Sequence, residues 1–298
     1  MAPSSGGGRP LPSLLRQRRR QQWQRTPLVV SALWWLAAAV APAGGMLLCE
    51  RHVATGRDHS CVVVGAANTV VCSGDDVLFT GKLAPPLGSS FVSLAAGNDF
   101  TCGLASSGSA TCWGALPGGY PNPFYPGDVY YDAAAGPHHW CGIVAASGLP
   151  VCHGYNNSVI TSLPTTPLSH ISVGLDFACG VRVAISSIVD CWGPASPGPL
   201  LSSITVMRVA AGDKHACALL VDGSVKCWGD NTFNQRSAPT GAIFNALAAG
   251  AFATCGIVAG DGNLWCWGAV QLDALPRPYF GGGLRVLELS CATEHCCG

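Results

Sequence analysis

The 298-residue sequence has few charged residues, and a large share of its positive charge lies near the N-terminus. Lys, Arg, Asp and Glu make up only 11% of the chain. Six of the 16 Lys and Arg residues fall within the first 25 positions, and without them 10 positive residues face 16 negative ones. The remaining balance of about −6 has the wrong sign for holding phosphates, so it argues against a nucleic-acid partner.

Uninterrupted helical stretches are also missing. The 38 Gly and 21 Pro residues break the chain too often for long helices and favour many short strands joined by turns. A hydrophobic content of 49% is enough for a buried core. The composition therefore predicts an all-β globular protein.

The N-terminus has the layout of an export signal. A basic stretch over residues 16–25 precedes an apolar run over 27–40, and Ala41-Pro42-Ala43 is a suitable processing site. We expect residues 1–43 to be a signal peptide. The alternative is an uncleaved anchor spanning about residues 27–48. Either arrangement exports the propeller predicted below for residues 46–298, as a secreted or plasma-membrane protein facing the extracellular side.

Sixteen cysteines agree with an extracellular location, because they can pair there but would remain thiols in a reducing cytosol. A glycosylation sequon at Asn156 is compatible with export.

An internal repeat of about 40 residues dominates the rest of the chain. Residues 94–114 and 209–229 both run from Ala-Ala-Gly through two cysteines to Cys-Trp-Gly, and weaker copies fill the remainder. The units begin near residues 53, 94, 133, 171, 209, 247 and 289.

Each of the first six units contains two cysteines 10 to 12 residues apart. Between Cys217 and Cys227 lies Asp222-Gly223, a strong hairpin signal that places the two thiols opposite each other on paired strands. We therefore predict one disulfide within each unit. The predicted pairs are Cys61 with Cys72, Cys102 with Cys112, Cys141 with Cys152, Cys179 with Cys191, Cys217 with Cys227, and Cys255 with Cys266.

A unit of this length with a central hairpin matches one four-stranded blade of a β-propeller. Seven units predict a seven-bladed ring with six complete blades and one partial blade. The small Ala-Ala-Gly run suits the crowded centre. The Trp after the second cysteine supplies aromatic area between blades. Ser73 and His153 replace this Trp, so the first and third blades are expected to pack less firmly.

These units resemble the repeats of the regulator-of-chromosome-condensation superfamily. The pattern Ala-Ala-Gly-x-x-His/Phe-x-Cys followed by Cys-Trp-Gly is similar to the crinkly repeats of plant crinkly-type receptor-like serine/threonine kinases, over roughly residues 53–298. The resemblance implies a signal peptide, a seven-bladed ectodomain that senses a ligand, a membrane span and a kinase. This sequence has no kinase motif, so we do not expect kinase activity of this chain.

The seventh unit differs from the others. It places His295 and Cys297 at the positions of His215 and Cys217, and it lacks a second cysteine. We expect either a truncated product or a ring closed by a strand over residues 46–52. In the second arrangement Cys49 pairs with Cys296 or Cys297.

No residue pattern predicts an enzyme, a cofactor or a metal. The position two residues before the first cysteine contains His, Phe or Ala, which favours a structural role. The cluster Cys291, His295, Cys296 and Cys297 lacks the spacing of a zinc site, which favours disulfides or unpaired thiols.

Binding is expected in the variable connections between repeats. Their aromatic and amide groups suit a peptide, protein or glycan. The candidate residues are Tyr120, Phe124, Tyr125, Tyr130, Tyr131, Asn231 and Phe233. The resulting hypothesis is an extracellular binding propeller, acting as a receptor fragment or soluble decoy, with association to receptor kinases as a further expectation. The alternatives are a piece of a full receptor kinase and an exchange-factor or chromatin-docking propeller.

Overall fold

The computed structural model describes residues 52–76, 80–116, 128–154, 162–269, 288–292 and 296–297. The chain divides into two compact units, Met1–Gly45 and Met46–Gly298, and every described residue belongs to the second. The described residues form β-strands and turns without a helix, so none of them belongs to a helix that could cross a membrane.

Seven antiparallel sheets, one for each sequence repeat, follow one another along the chain. We number them blades 1 to 7. Blades 1 to 3 contain β1 (Val53–Thr55), β2 (His59–Val64), β3 (Thr69–Gly74); β4 (Ser93–Ala96), β5 (Phe100–Leu104), β6 (Ala110–Gly114); and β7 (Tyr130–Ala135), β8 (His139–Val144), β9 (Pro150–Gly154). Blades 4 and 5 contain β10 (Leu168–Val173), β11 (Ala178–Arg182), β12 (Ile188–Trp192), β13 (Leu200–Leu201); and β14 (Val206–Ala211), β15 (His215–Leu220), β16 (Val225–Gly229). Blades 6 and 7 contain β17 (Phe244–Ala249), β18 (Ala253–Val258), β19 (Leu264–Gly268); and β20 (Ser290–Cys291), β21 (Cys296–Cys297).

Four strands per blade was the expectation, and it is wrong for blade 5. The connection from β16 to β17 is described completely and forms turns, with no fourth strand. The side-chain oxygens of Asp230 and Asn231 accept backbone N–H groups further along the chain, which folds the start of this connection back on itself. Blade 4 does have a fourth strand, the two-residue β13.

The hairpin of each of the first six blades places its two cysteines directly opposite each other, as Cys217 and Cys227 are between β15 and β16. All six predicted disulfides are present. A cross-link between paired strands stabilises the hairpin mainly by restricting the unfolded chain.

The Ala-Ala-Gly runs lie at the crowded centre, as predicted. The first strand of each blade faces the central channel, and a Cβ atom added to Gly212 would collide with the carbonyl oxygen of Gly250 in the next blade. The same relation joins each blade to the next from Gly56 through Gly97 and Gly136 to Gly174. Glycine is required at these positions because two backbones approach each other too closely for any side chain.

Repeated hydrogen bonds join neighbouring blades. The indole N–H of Trp267 in blade 6 donates to the carbonyl of Gln235 in blade 5 at 2.9 Å, and Trp113 and Trp228 make equivalent bonds to their preceding blades. The start of each first strand from blade 2 to blade 6 also donates a backbone N–H to the preceding hairpin, as Phe244 does to Gly223 at 2.8 Å. The Trp after the second cysteine therefore joins blades, as expected.

The ring closes between blades 7 and 1. In blade 7, Ser290 lies opposite Cys297, the register that Ala210 and Cys217 have in blade 5. The Ser290 hydroxyl accepts a hydrogen bond from the backbone N–H of Thr55 at 3.0 Å. Between blades 4 and 5, Ser172 accepts from Ala211 in the same way.

The closure hypothesis needs a correction. Cys296 is bonded to Cys291, so it does not pair with Cys49 in this structure. The backbone carbonyl of His52 accepts from Val63, which makes His52 a continuation of β1 in blade 1 and not a strand of blade 7. Cys49 and residues 46–51 lie outside the described residues.

Candidate functional site

The two ends of the ring present different loops. One end, here called the turn end, contains the turns between the first and second strands of each blade, beside the connections that leave the third strands. The contacts between successive central glycines place these turns at one end. The opposite hairpin end contains the hairpins that join the second and third strands.

The predicted binding residues that the structure describes do not lie together. Tyr120, Phe124, Tyr125 and the sequon residue Asn156 fall outside the described residues. Tyr131 is 47% exposed near the hairpin end, and its hydroxyl donates to the carbonyl of Leu168.

Tyr130 is not a binding-loop residue. It lies in β7 with only 2% of its surface exposed, and its ring packs edge-on against Trp140 with centroids 5.2 Å apart. Alternation along the strand explains the difference from Tyr131, because neighbouring side chains point to opposite sides.

Asn231 and Phe233 belong to a tightly hydrogen-bonded loop at the turn end. The carboxylate of Asp230 accepts from the backbone N–H and the hydroxyl of Thr232, at 3.1 and 2.6 Å. The hydrogen bond from Thr232 lowers the pKa of Asp230, which therefore stays ionised at neutral pH. The Asn231 side chain accepts from the backbone N–H of Arg236 at 2.9 Å, so it fixes the loop and has less capacity for a ligand.

Gln235 anchors this loop from beneath. Its side chain is 1% exposed, donates to Asp230 at 3.0 Å and accepts from the backbone N–H of Phe233 at 2.8 Å. Both ends of one buried amide are thereby satisfied. The loop holds Phe233 in a fixed position before any partner arrives.

Phe233 contacts a second exposed aromatic residue on the next blade. Its ring centroid lies 5.0 Å from that of Phe252, which follows β17 in blade 6. The two rings remain 45% and 42% exposed. This aromatic pair, Phe233 and Phe252, bridges two blades at the turn end and is the candidate binding site.

Phe252 was missed from the sequence because it lies inside a repeat rather than in a variable connection. The sequence did contain a signal for Phe252, because the equivalent position carries a polar or charged residue in the other fully described turns between first and second strands. These residues are Asp58, Asp99, His138, Asp176 and Lys214. An aromatic residue at a position otherwise kept polar indicates a local use.

Two histidines that lie two residues before a first cysteine, His59 and His215, make buried contacts between blades. Nε2 of His215 lies 2.9 Å from the hydroxyl of Thr254 in blade 6, and that hydroxyl donates to the carbonyl of Gln235. The hydroxyl has one proton, so it accepts from a neutral imidazole N–H. His59 and Thr101 repeat the contact between blades 1 and 2 at 2.8 Å. Burial lowers the pKa of both histidines to about 4, which keeps them uncharged at neutral pH.

Three sulfur atoms at the junction of blades 6 and 7 lie close enough to hold a metal. They belong to Cys255, Cys291 and Cys296, within 4.8 Å of one another. All three are in disulfides, which leaves no thiolate for coordination. His295 lies outside the described residues.

Comparisons with known proteins agree with this geometry. Residues 91–115 and 208–235 match the Regulator of chromosome condensation (RCC1) repeat. The entire ectodomain of receptor kinase CR4 from Physcomitrella patens is similar, with a TM-score of 0.71 and 28% identity over 83% of this chain and 70% of that chain. The CRINKLY ectodomain of receptor kinase ACR4 from Arabidopsis thaliana gives 0.69 and 27%, over 83% and 90%.

The chain resembles a crinkly receptor-kinase ectodomain. The two segments that match the repeat model lie in blades 2 and 5, where the Ala-Ala-Gly and Cys-Trp-Gly ends are both intact. Prp20p from Saccharomyces cerevisiae has a TM-score of 0.67 at 14% identity, over 82% of this chain and 80% of that chain, and so shares the fold. The crinkly-type disulfide propeller indicates an extracellular location.

Proposed function

We propose that this chain is an extracellular receptor-type propeller that binds a protein or peptide partner through Phe233 and Phe252. The observation that carries the proposal is a contact between two exposed aromatic rings, one on the hydrogen-bonded loop of blade 5 and one on a turn of blade 6, within a crinkly-type propeller.

The evidence for an extracellular location supports this role. Seven disulfides join 14 of the 16 cysteines, an arrangement that persists only where the surroundings are oxidising. The charge balance of the exported part, about −6, opposes the alternative of chromatin docking. We infer that the chain acts at or beyond the cell surface.

The chemistry of the pair favours a polypeptide over a glycan. Phe has no polar atom with which to select sugar hydroxyls, whereas aromatic area is the usual anchor of a protein interface. Because Gln235 and Asp230 already fix the loop, binding there costs little ordering entropy. The expected partner presents an apolar side chain flanked by polar groups.

Selection from a displayed peptide library tests the proposal. The oxidised, secreted chain is the bait, and enriched peptides are measured against the wild type and a Phe233→Ser, Phe252→Ser variant. We expect the variant to lose about 30-fold or more in affinity, because aromatic anchors dominate interface energetics. Its melting temperature should change little, since both rings are exposed.

A matched control comes from the other end of the ring. Val183→Ser with Ile185→Ser removes two apolar side chains that are 56% and 50% exposed in the hairpin of blade 4. This variant should bind as the wild type does. Equal losses of peptide affinity in both variants, or enriched peptides whose affinity neither variant changes, would reject the aromatic pair as the binding site.

A further inference from the structure

Two disulfides contact each other at the junction of blades 6 and 7. Cys296 is bonded to Cys291 in blade 7, and Cys255 is bonded to Cys266 in the hairpin of blade 6. Sγ of Cys296 lies 3.5 Å from Sγ of Cys255. Neither sulfur carries a proton in this oxidised state, so the two atoms are in van der Waals contact.

The repeat explains why a sulfur of blade 7 lies beside the disulfide of blade 6. At two other junctions, the residue before the first cysteine of a blade is a threonine, Thr101 or Thr254. Its hydroxyl lies 3.6 Å from the first cysteine of the preceding blade. Cys296 stands before Cys297 at the same position in blade 7. The geometry of the repeat therefore places a sulfur where these junctions have a hydroxyl.

The two disulfides differ in their exposure. Cys255 is only 1% exposed, so its sulfur is shielded from thiols in solution. Cys291 and Cys296 are both partly exposed, and Cys291 also lines a cavity of about 170 Å³ in the central channel. A small dithiol therefore has access to Cys291, whereas Cys255 is within reach of Cys296 from inside the protein.

We propose that these four cysteines form a thiol–disulfide relay, which moves a covalent bond from within blade 7 to the junction between blades 6 and 7. A thiolate of a dithiol reductant bonds to Sγ of Cys291 and breaks its bond to Cys296, which leaves as a thiolate. The thiolate of Cys296 then attacks Sγ of Cys255. The bond between Cys255 and Cys296 forms, and Cys266 leaves as a thiolate.

The dithiol supplies all the electrons and protons that the relay needs. Its second thiol attacks the mixed disulfide, releases Cys291 and leaves the reductant as its own disulfide. The two protons of the reductant end on Cys266 and Cys291. One bond across the junction thereby replaces one bond within each of the two blades. The relay is separate from the aromatic pair and does not depend on the function proposed for it.

Mass spectrometry of the full oxidised chain after treatment with limiting dithiothreitol tests the proposal. Free thiols are blocked with N-ethylmaleimide, and cleavage after Asp261 and Glu294 places the four cysteines on separate peptides. We expect two peptides joined through Cys255 and Cys296, with the other two cysteines of the relay alkylated.

Serine variants distinguish the relay from general reduction. Cys291→Ser leaves Cys296 without its partner, so the bond to Cys255 should form with no added reductant. Cys296→Ser removes the attacking sulfur, and alkylation of Cys266 should be about tenfold or more slower than in the wild type. Cys297→Ser should behave as the wild type does, which would exclude the neighbouring cysteine as the nucleophile.

A matched variant transfers the relay to the junction of blades 5 and 6. Thr254→Cys places a thiol at the equivalent position beside Cys217, so it should bond to Cys217 and release Cys227. In the wild type, the disulfide between Cys217 and Cys227 should survive the same limiting reductant.

Two results would overturn the proposal. One is a wild type in which Cys291 and Cys296 are reduced but no bond between Cys255 and Cys296 appears. The other is a Cys296→Ser variant that releases Cys266 as fast as the wild type does. The wild-type measurement needs no substitution, so it decides the question even where a variant fails to fold.

Discussion

The junction between blades 5 and 6 differs from the one that closes the ring between blades 7 and 1. The first is joined at three depths, by the backbone bond from Phe244 to Gly223, the buried contact of His215 with Thr254, and the indole bond of Trp267. In the described residues of the second, the bonds lie along the first strands, from the backbone N–H of His52 to Glu288 and from that of Thr55 to Ser290.

The difference shows what a repeat can specify. A junction between two complete repeats inherits the same backbone and side-chain contacts each time. Blade 7 has two described strands, and the described hydrogen bonds between it and blade 1 come from the first strands. We expect the fifth and sixth blades to be the more stable part of the ring, and three changes test that expectation.

Removing one disulfide from each region should have the largest effect. Cys217→Ala with Cys227→Ala opens a loop of about 11 residues and should lower the free energy of unfolding by about 3 kcal/mol. Cys291→Ala with Cys296→Ala opens a shorter loop and should cost about 2 kcal/mol. Urea unfolding of both variants gives the two values. A larger loss in blade 7 would contradict the comparison.

Acid should weaken the junction of blades 5 and 6 through His215. Its pKa is about 4 in the fold and about 6.5 when unfolded, so the unfolded chain binds the proton first and stability falls as pH drops below 6.5. By pH 5 the loss from this residue should be about 2 kcal/mol. His215→Phe, which copies Phe100 and Phe177, should remove that part of the pH dependence.

The wild type and His215→Phe are compared by urea unfolding at pH 7 and pH 5. His59→Phe provides the matched variant at the junction of blades 1 and 2, where the same contact occurs. Parallel pH profiles for wild type and both variants would show that the buried imidazoles do not control acid stability.

The smallest effect is expected at the closing junction. Glu288→Gln keeps an acceptor for the backbone N–H of His52 but removes the charge, and both side chains are more than one quarter exposed. The expected loss is about 1 kcal/mol or less, smaller still at high salt. Thermal melts with and without added salt measure it. A loss equal to that of the blade 5 disulfide would mean that closure controls the stability of the whole ring.

Much of the fold follows from the spacing of a few residues. The distance between paired cysteines predicted the hairpins, the Ala-Ala-Gly runs predicted the centre, and Cys-Trp-Gly predicted the contacts between blades. These features are readable because they arise from contacts between nearby residues and recur in most units. The turn-only connection of blade 5 was not predictable, because the choice between strand and turn depends on the buried Gln235 and its partners.

Only one of the two residues of the candidate site could be predicted from the sequence. The variable-loop pattern indicated both Phe233 and Tyr130, but Tyr130 lies in the core, since burial depends on which side of a strand a residue occupies. Phe252 stands within a repeat, where the search for variable connections does not reach. Their contact joins residues from two blades that no local pattern connects.

The sequence by itself determined the number of blades, the pairing of twelve cysteines and the glycine at each close approach, because each corresponds to a short motif that recurs in the repeats. Only the tertiary structure decided which side chains meet across blades. The aromatic pair at the turn end depends on the packing of blade 6 against blade 5, which brings together residues from different repeats.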